Sequence, residues 1–471
     1  MFKDLSFINN INSIALIGAS KSRHYFFIKT LSESFKGKIY IIKPGVDSIE
    51  QYPNLPVYSR VTDIPDGETV DFAFIAIPRD QVKNVILDCL EKKVRLAAIF
   101  TANFADAGTE QGKRSQDELI ELIHSSKHNM RILGPNGMGL YHPKIGLRWR
   151  PSLPLDSGDI GLVAQSGGLC NLLIHGLHAE GLYISKAFSI GNAADVTPLD
   201  AMHYLIKDPE TSIIISYLEG IPKGTGNLLL KLLKSSNKPV IMVKGGRTFA
   251  GKRAAESHTA SLVGNFKIWR QSIINNGGIL VESFEDVVNT AKYLKHVKGN
   301  PGTNICLFSL SGGYGVICSD ILIDHGLQLP DLARYEDLSE LFDQLFSMVG
   351  VSLNNPVDIA AGLNEPRKIE QMLMAILEKD EMHTLIFEIA PFYMKQRFNM
   401  EIDLPTELVE MLTRVRNKTK RPVLVIIEHV EYEKIAAKMK QGFQKNNIPV
   451  FDDILPIARM LQFLDKSTYF K

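Results

Sequence analysis

A chain of 471 residues, 45% hydrophobic and 22% charged with a net charge of +1, has the composition of a globular protein of about three domains. The balanced charge gives no reason to expect nucleic acid or a membrane surface as partner, so any anion binding must be local. No stretch approaches the length needed to span a bilayer, and Cys89, Cys170, Cys306 and Cys318 are scattered without a Cys-x-x-Cys pair. A cytoplasmic protein with no metal site, no disulfide framework and buried thiols is expected.

The first predicted elements alternate short apolar runs with amphipathic stretches of helix length. Ser13–Ser20 is an apolar strand ending in a small-residue turn, and Lys38–Gly45, Asp71–Pro78 and Arg95–Phe100 follow it. This βαβ alternation implies a parallel sheet, and a nucleotide-like ligand would lie along the strand ends at Gly18, Ala19 and Ser20, at Lys43 and Pro44, and at Pro78. The first turn has a single glycine, so the dinucleotide fingerprint G-x-G-x-x-G is missing and a hydride-transferring domain is disfavoured. Gly134–Gly139 then forms a glycine-rich turn after the strand-like Met130–Leu133.

From Asp159 the chain starts again, and it does so twice. An apolar strand leads into Gln165, Ser166, Gly167 and Gly168 and a helical run to Gly181; at the same spacing, Asn304–Leu310 leads into Ser311, Gly312 and Gly313 and a run to Gly326. Ile213–Glu219 is matched by Leu385–Glu388, Lys238–Val243 by Arg421–Ile426, and Asn276 before an apolar strand by Asn447. These matches predict two copies of one flavodoxin-like α/β domain. The segment from Pro239 to Asn276 is twelve residues longer than its counterpart from Pro422 to Asn447. That surplus lies in Lys244–Gly264, read as a glycine-rich cationic loop leaving a strand end and carrying His258. Gly246–Lys252 fits G-x-x-x-x-G-K, but Arg253 stands where a P-loop needs Ser or Thr, so a nucleotide P-loop is rejected.

A Ser-Gly-Gly turn between strand and helix presents unpaired backbone N–H groups and the positive end of a helix dipole, a site of phosphate size. A histidine beside it is suited to carry a phosphoryl group, with a carboxylate to orient the ring; Glu219, at the end of the strand from Ile213, is the candidate.

These motifs resemble, over nearly the whole chain, the alpha subunit of the ADP-forming acyl-CoA (acetyl-CoA) synthetases, relatives of the succinyl-CoA synthetase alpha subunit. The matching stretches are Ile17–Ser20, Gly134–Gly139, Gln165–Gly168, Ser189–Asp195, Tyr217–Gly220, Ser257–Gly264, Gly312–Gly315 and Asn355–Asp358. The resemblance implies a Rossmann-like CoA-binding domain at 5–147, a flavodoxin-like domain bearing the phosphohistidine at 155–298, and a second flavodoxin-like domain at 301–471. It implies the reversible reaction of acyl-CoA, phosphate and ADP to carboxylic acid, CoA and ATP. By the same resemblance Gly18, Ala19, Ser20, Lys43, Ile77 and Pro78 would bind CoA, Gln165, Ser166, Gly167 and Gly168 would hold phosphate, and His258 and Glu219 would be catalytic.

Two stretches depart from the family pattern: Lys43-Pro44 stands for Asn-Pro, and Thr101–Phe104 for a Ser-Ala-Gly-Phe-like segment. No ATP-grasp domain fits in the chain, so ADP or ATP with magnesium is expected on an ATP-grasp beta subunit in a hetero-oligomer. The competing reading is a CoA- or acyl-CoA-binding regulatory protein that has kept the scaffold; retention of both Glu219 and His258 favours the enzyme.

Overall fold

The computed structural model describes residues 2–21, 24–126, 128–259, 265–297, 299–346, 350–359, 365–391, 403–428 and 433–470, with backbone alone at 255–259. They form two compact units, residues 1–284 and 285–471.

The first unit holds two sheets. Strands β1 (Ser13–Ile17), β2 (Lys38–Ile42), β3 (Val57–Tyr58), β4 (Phe72–Ile75), β5 (Leu96–Ile99) and β6 (Arg131–Leu133) lie in the order β3-β2-β1-β4-β5-β6, all parallel. This is the Rossmann order, and the runs are apolar on both faces because both are covered. Alternate residues of the sheet show it. Ala73 and Ile75 pack with Val82 and Ile86 of α2 (Arg79–Glu91), while Phe74, between them, meets Phe27 of α1 (Phe26–Ser32) at 4.8 Å between ring centroids.

The second sheet comprises β7 (Gly139–Tyr141), β8 (Ile160–Ala164), β9 (Ile184–Ser189), β10 (Ile213–Leu218), β11 (Val240–Lys244) and β12 (Gly278–Val281) in the order β12-β11-β10-β8-β9-β7. Only β7 runs antiparallel, paired with β9. The glycine-rich turn after β6 thus carries the chain directly from one sheet into the other. Within the second unit, β13 (Ile305–Ser309), β14 (Val357–Asp358), β15 (Thr384–Ile389), β16 (Val423–Ile427) and β17 (Val450–Phe451) lie in the order β14-β13-β15-β16-β17. Taken from β8 and from β13, the two sheets share the flavodoxin order 2-1-3-4-5, so the internal repeat is structural.

Register corrects one detail of that repeat. Ala164 of β8 lies beside Tyr217, and Phe308 of β13 beside Phe387. Glu388 therefore occupies the place of Tyr217, and Ala390, not Glu388, answers to Glu219. Matching the two carboxylates across a two-residue slip was possible because strand faces repeat every second residue.

A second correction concerns the segment after β11, read from sequence as a loop. Its residues Phe249–Thr259 form a helix, α7. Thr248 starts it, its Oγ1 accepting from the Gly251 N–H at 3.1 Å, and the Ala-, Lys-, Arg- and Glu-rich composition sustains it. Residues 260–264 lie outside the described residues.

No helix among the described residues is long and apolar enough to cross a membrane, and all four cysteines are buried. His142, just after β7, is 1% exposed. Burial, then the nearby Lys186 ammonium, push its pKa down to about 4, against the opposing pull of Glu210 and Asp208. Unfolded, the ring protonates below pH 6.5; folded, it stays neutral. The native state should therefore lose about 3 kcal/mol as pH falls from 6.5 towards 4. Urea unfolding of wild type and His142→Asn across that range checks this, and the expected result is a flatter pH dependence in the variant.

Candidate functional site

The strand ends of the first unit converge on a cleft. At the end of β1, Gly18 has φ +109°, and a Cβ there would sit 2.2 Å from the Ala76 carbonyl oxygen. Only glycine lets the β1 and β4 turns approach so closely. The Lys43 ammonium, at the end of β2, donates to the Ala19 carbonyl at 2.8 Å, and the Thr101 hydroxyl donates to the Ile77 carbonyl at 2.6 Å. The turns after four strands, β1, β2, β4 and β5, are thereby held together.

Two adjoining cavities run over these turns. One, of about 790 Å³, is lined by Gly18, Ala19 and Ser20, by Lys43, and by Ile77 and Pro78. The other, of about 1110 Å³, shares Gly18, Ala19, Ser20, Ile77 and Pro78 and reaches Gln165, Ser166, Gly167 and Gly168. The larger space thus brings together Gln165–Gly168, expected to bind phosphate, and all the residues expected to bind CoA except Lys43, which lines the adjoining cavity alone. Trp149, Arg150 and Asn192 also line it. Trp149 and Arg150 went unnoticed in the sequence because they sit between elements, with no motif or periodicity to mark them.

At the Gln165–Gly168 end, helix α4 (Gly167–Ala179) begins directly after β8, with the Ser166 hydroxyl accepting from the Leu169 N–H at 3.3 Å. The Gly167 and Gly168 N–H groups belong to the open first turn, where the helix dipole favours an anion. Gln165 sets this turn against the end of β10. Its Oε1 accepts from the Glu219 N–H at 2.6 Å and the Gly220 N–H at 3.1 Å.

Glu219 is 4% exposed. Its Oε1 accepts from the Tyr217 hydroxyl at 3.1 Å, whereas Oε2 is a buried acceptor with no partner among the described residues. Burial, then the Glu219 charge, raise the Tyr217 pKa, so the phenol stays a donor. Lys244, read from sequence as the start of a cationic loop, is instead buried. Its ammonium donates to the Glu219 carbonyl at 2.7 Å and the Gly245 carbonyl at 2.5 Å. Burial lowers its pKa to about 8, with Glu219 pulling upward.

His258 lies in the last turn of α7, but its side chain is outside the described residues. Helix α7 lies against the turn Ala105–Ala107. That turn is bound to the cleft wall, since Asp106 accepts from the Asn192 amide at 2.8 Å. Asp106 also accepts from the Asn103 N–H at 2.9 Å. Asn103 has φ +71°, the left-handed region that asparagine holds most readily after glycine, so the backbone at the Thr101–Phe104 departure suits the residue found there. At the other departure, the Lys43 ammonium is engaged by the Ala19 carbonyl. Among the described residues no group of three or more His, Cys, Asp or Glu could hold a metal ion.

Residues 12–143 match the family described as CoA binding domain, 157–294 the succinyl-CoA ligase like flavodoxin domain, and 305–450 the ligase-CoA domain. The chain is 30% identical to the alpha subunit of acetate–CoA ligase [ADP-forming] II of Pyrococcus furiosus, over 95% of this chain and 94% of that protein. It is 31% identical to the alpha subunit of the enzyme I of the same organism, over 98% and 97%. The dinucleotide-forming acetyl-coenzyme A synthetase 1 of Ca. Korarchaeum cryptofilum, solved in complex with phosphate and ADP, superposes with a TM-score of 0.81 at 28% identity, covering 98% of this chain and 96% of that one. On motifs, topology and full-length similarity together, the chain belongs to the ligase family of the ADP-forming acetate–CoA ligase alpha subunits.

Proposed function

We propose that this chain is the alpha subunit of an NDP-forming acyl-CoA synthetase, converting acyl-CoA, phosphate and ADP to carboxylic acid, CoA and ATP with an ATP-grasp partner. The observation that carries the reading is the single space joining the Gly18–Ser20 and Ile77–Pro78 turns to the Gln165–Gly168 helix start. A ligand with a nucleotide end and a thioester end needs that reach, and an attacking phosphate needs the helix start at its far side.

In this reading residues 5–147 hold CoA, 155–298 carry the reacting groups and 301–471 form a second ligase domain. A phosphate oxygen attacks the thioester carbonyl carbon, the C–S bond breaks, and the CoA thiolate leaves and takes a proton. The resulting acyl phosphate passes its phosphoryl group to a ring nitrogen of His258, the carboxylate being the leaving group. The Gly167 and Gly168 N–H groups hold the phosphoryl oxygens, and Glu219 Oε2, without a partner among the described residues, supplies an acceptor for the opposite ring N–H, fixing tautomer and orientation. The phosphoryl group then goes to ADP on the partner. A protein that only bound CoA would gain nothing from a buried carboxylate oxygen left without a partner among the described residues.

Two measurements test this. With an ATP-grasp partner, acetyl-CoA, phosphate and ADP should yield ATP, while the chain alone yields none; Glu219→Gln should slow the reaction by about a hundredfold through misorientation of the ring. Robust ATP formation by the lone chain, or full activity in Glu219→Gln, contradicts the reading. Calorimetry should show CoA binding weakened about tenfold, or about 1.4 kcal/mol, by Lys43→Glu, which breaks the bond to Ala19 and puts a negative charge beside the CoA phosphates. Equal affinity removes Lys43 from the site.

A further inference from the structure

The larger cavity over the strand ends has one charged residue among those lining it, Arg150. The segment that presents it is held by its own contacts. The Arg148 guanidinium folds the chain after β7 back on itself, donating to the Pro151 carbonyl at 2.6 Å and the Leu153 carbonyl at 3.0 Å, and the Tyr141 hydroxyl donates to the Pro154 carbonyl at 2.6 Å. Trp149, 3% exposed, packs edge-on against Tyr141, and its indole N–H donates to the Asn171 side-chain oxygen at 2.8 Å. Asn171 stands one turn along α4 from Gly167, so the residue before Arg150 is tied to the helix whose open first turn lines the same cavity. Arg150 itself is exposed and makes no hydrogen bond or ion pair to another described residue.

The open first turn of α4 offers about half a positive charge, whereas a phosphoryl group carries about −1.5 to −2. Holding that anion out of bulk water therefore calls for about one further positive charge in the cavity. The other cations of the site are committed elsewhere. Lys244 is buried on the Glu219 and Gly245 carbonyls. Lys21, Lys43 and Arg60 line the smaller cavity, where the CoA phosphates would have partners of their own, and none of the three lines the larger one. Resting on the acyl-CoA synthetase reading, we propose that Arg150 is a substrate-binding residue for the attacking phosphate, its guanidinium pairing with two phosphate oxygens while the Gly167 and Gly168 N–H groups take the others. The planar fork of two N–H donors matches a pair of phosphate oxygens in a way that a lysine ammonium does not.

Arg150→Gln removes the charge from an exposed side chain, so the variant is expected to fold as the wild type does. In ATP formation with the ATP-grasp partner, its KM for phosphate should rise about tenfold, as loss of a charge-assisted pair implies, while its KM for acetyl-CoA changes by less than about twofold. Arg150→Lys, which restores the charge without the fork, should fall between the two. An unchanged phosphate KM in Arg150→Gln overturns the assignment, as does an equal rise in the acetyl-CoA KM, which would put the guanidinium on CoA. Calorimetry with inorganic phosphate needs no turnover: the chain should bind it saturably, and Arg150→Gln about tenfold more weakly, with CoA affinity unchanged. Equal phosphate affinity in the variant, or no saturable binding to the wild type, overturns the proposal. Failure of the wild type to make ATP with its partner would instead count against the synthetase reading, and the phosphate titration would still decide the role of Arg150.

Discussion

One side-chain carbonyl governs the geometry of the first unit's site. Gln165 Oε1 takes the N–H groups of both Glu219 and Gly220, joining the turn after β8 to the turn after β10. Those two bonds set where α4 begins and where the Glu219 side chain stands. Removing the acceptor would leave two buried N–H groups unpaired, each costing about 1–3 kcal/mol. The glutamine is therefore a joint on which the α4 helix start and the buried carboxylate both depend.

The second flavodoxin copy shows what the scaffold does without that joint. Leu310 stands in the place of Gln165, and Pro391, which has no N–H to satisfy, in the place of Gly220. Glu388 turns onto the end of the neighbouring strand β13 instead, accepting from the Ser309 hydroxyl at 2.6 Å and the Leu310 N–H at 2.7 Å. Burial outweighs these bonds and raises its pKa to about 7. A carboxylate beside the Ser311–Gly313 helix start makes a poor neighbour for phosphate. The buried ammonium is likewise particular to the first copy: by strand register Ile427 takes the place of Lys244. Duplication thus preserved topology while the polar joints of the site were kept in one copy.

Much of this was legible in the residues. Continuous apolar runs marked the parallel strands, Ser166–Gly168 marked a helix start able to bind an anion, and the repeat marked two like domains, because burial on both faces and turn chemistry are local constraints. Other features depended on contacts across the chain. Lys244 follows Val240–Val243 and reads as the first cation of a loop, yet strand register carries it inward onto two carbonyls. Lys43 reads as a phosphate ligand, yet its ammonium holds the Ala19 turn. Trp149 and Arg150 line the cleft after the turn following β6 has carried the chain from the first sheet into the second. The helix at Phe249–Thr259 was present in the composition but was masked by the flanking glycines.

The central claim is that the phosphoryl group passes through His258. Incubation of the chain and its ATP-grasp partner with γ-labelled ATP, followed by tryptic digestion, tests it directly, since cleavage after Arg253 and Lys267 yields a peptide in which His258 is the sole histidine. The account predicts base-stable, acid-labile label on that peptide and none in His258→Asn. Label on any other peptide, or ATP formation at the wild-type rate by His258→Asn, would contradict it.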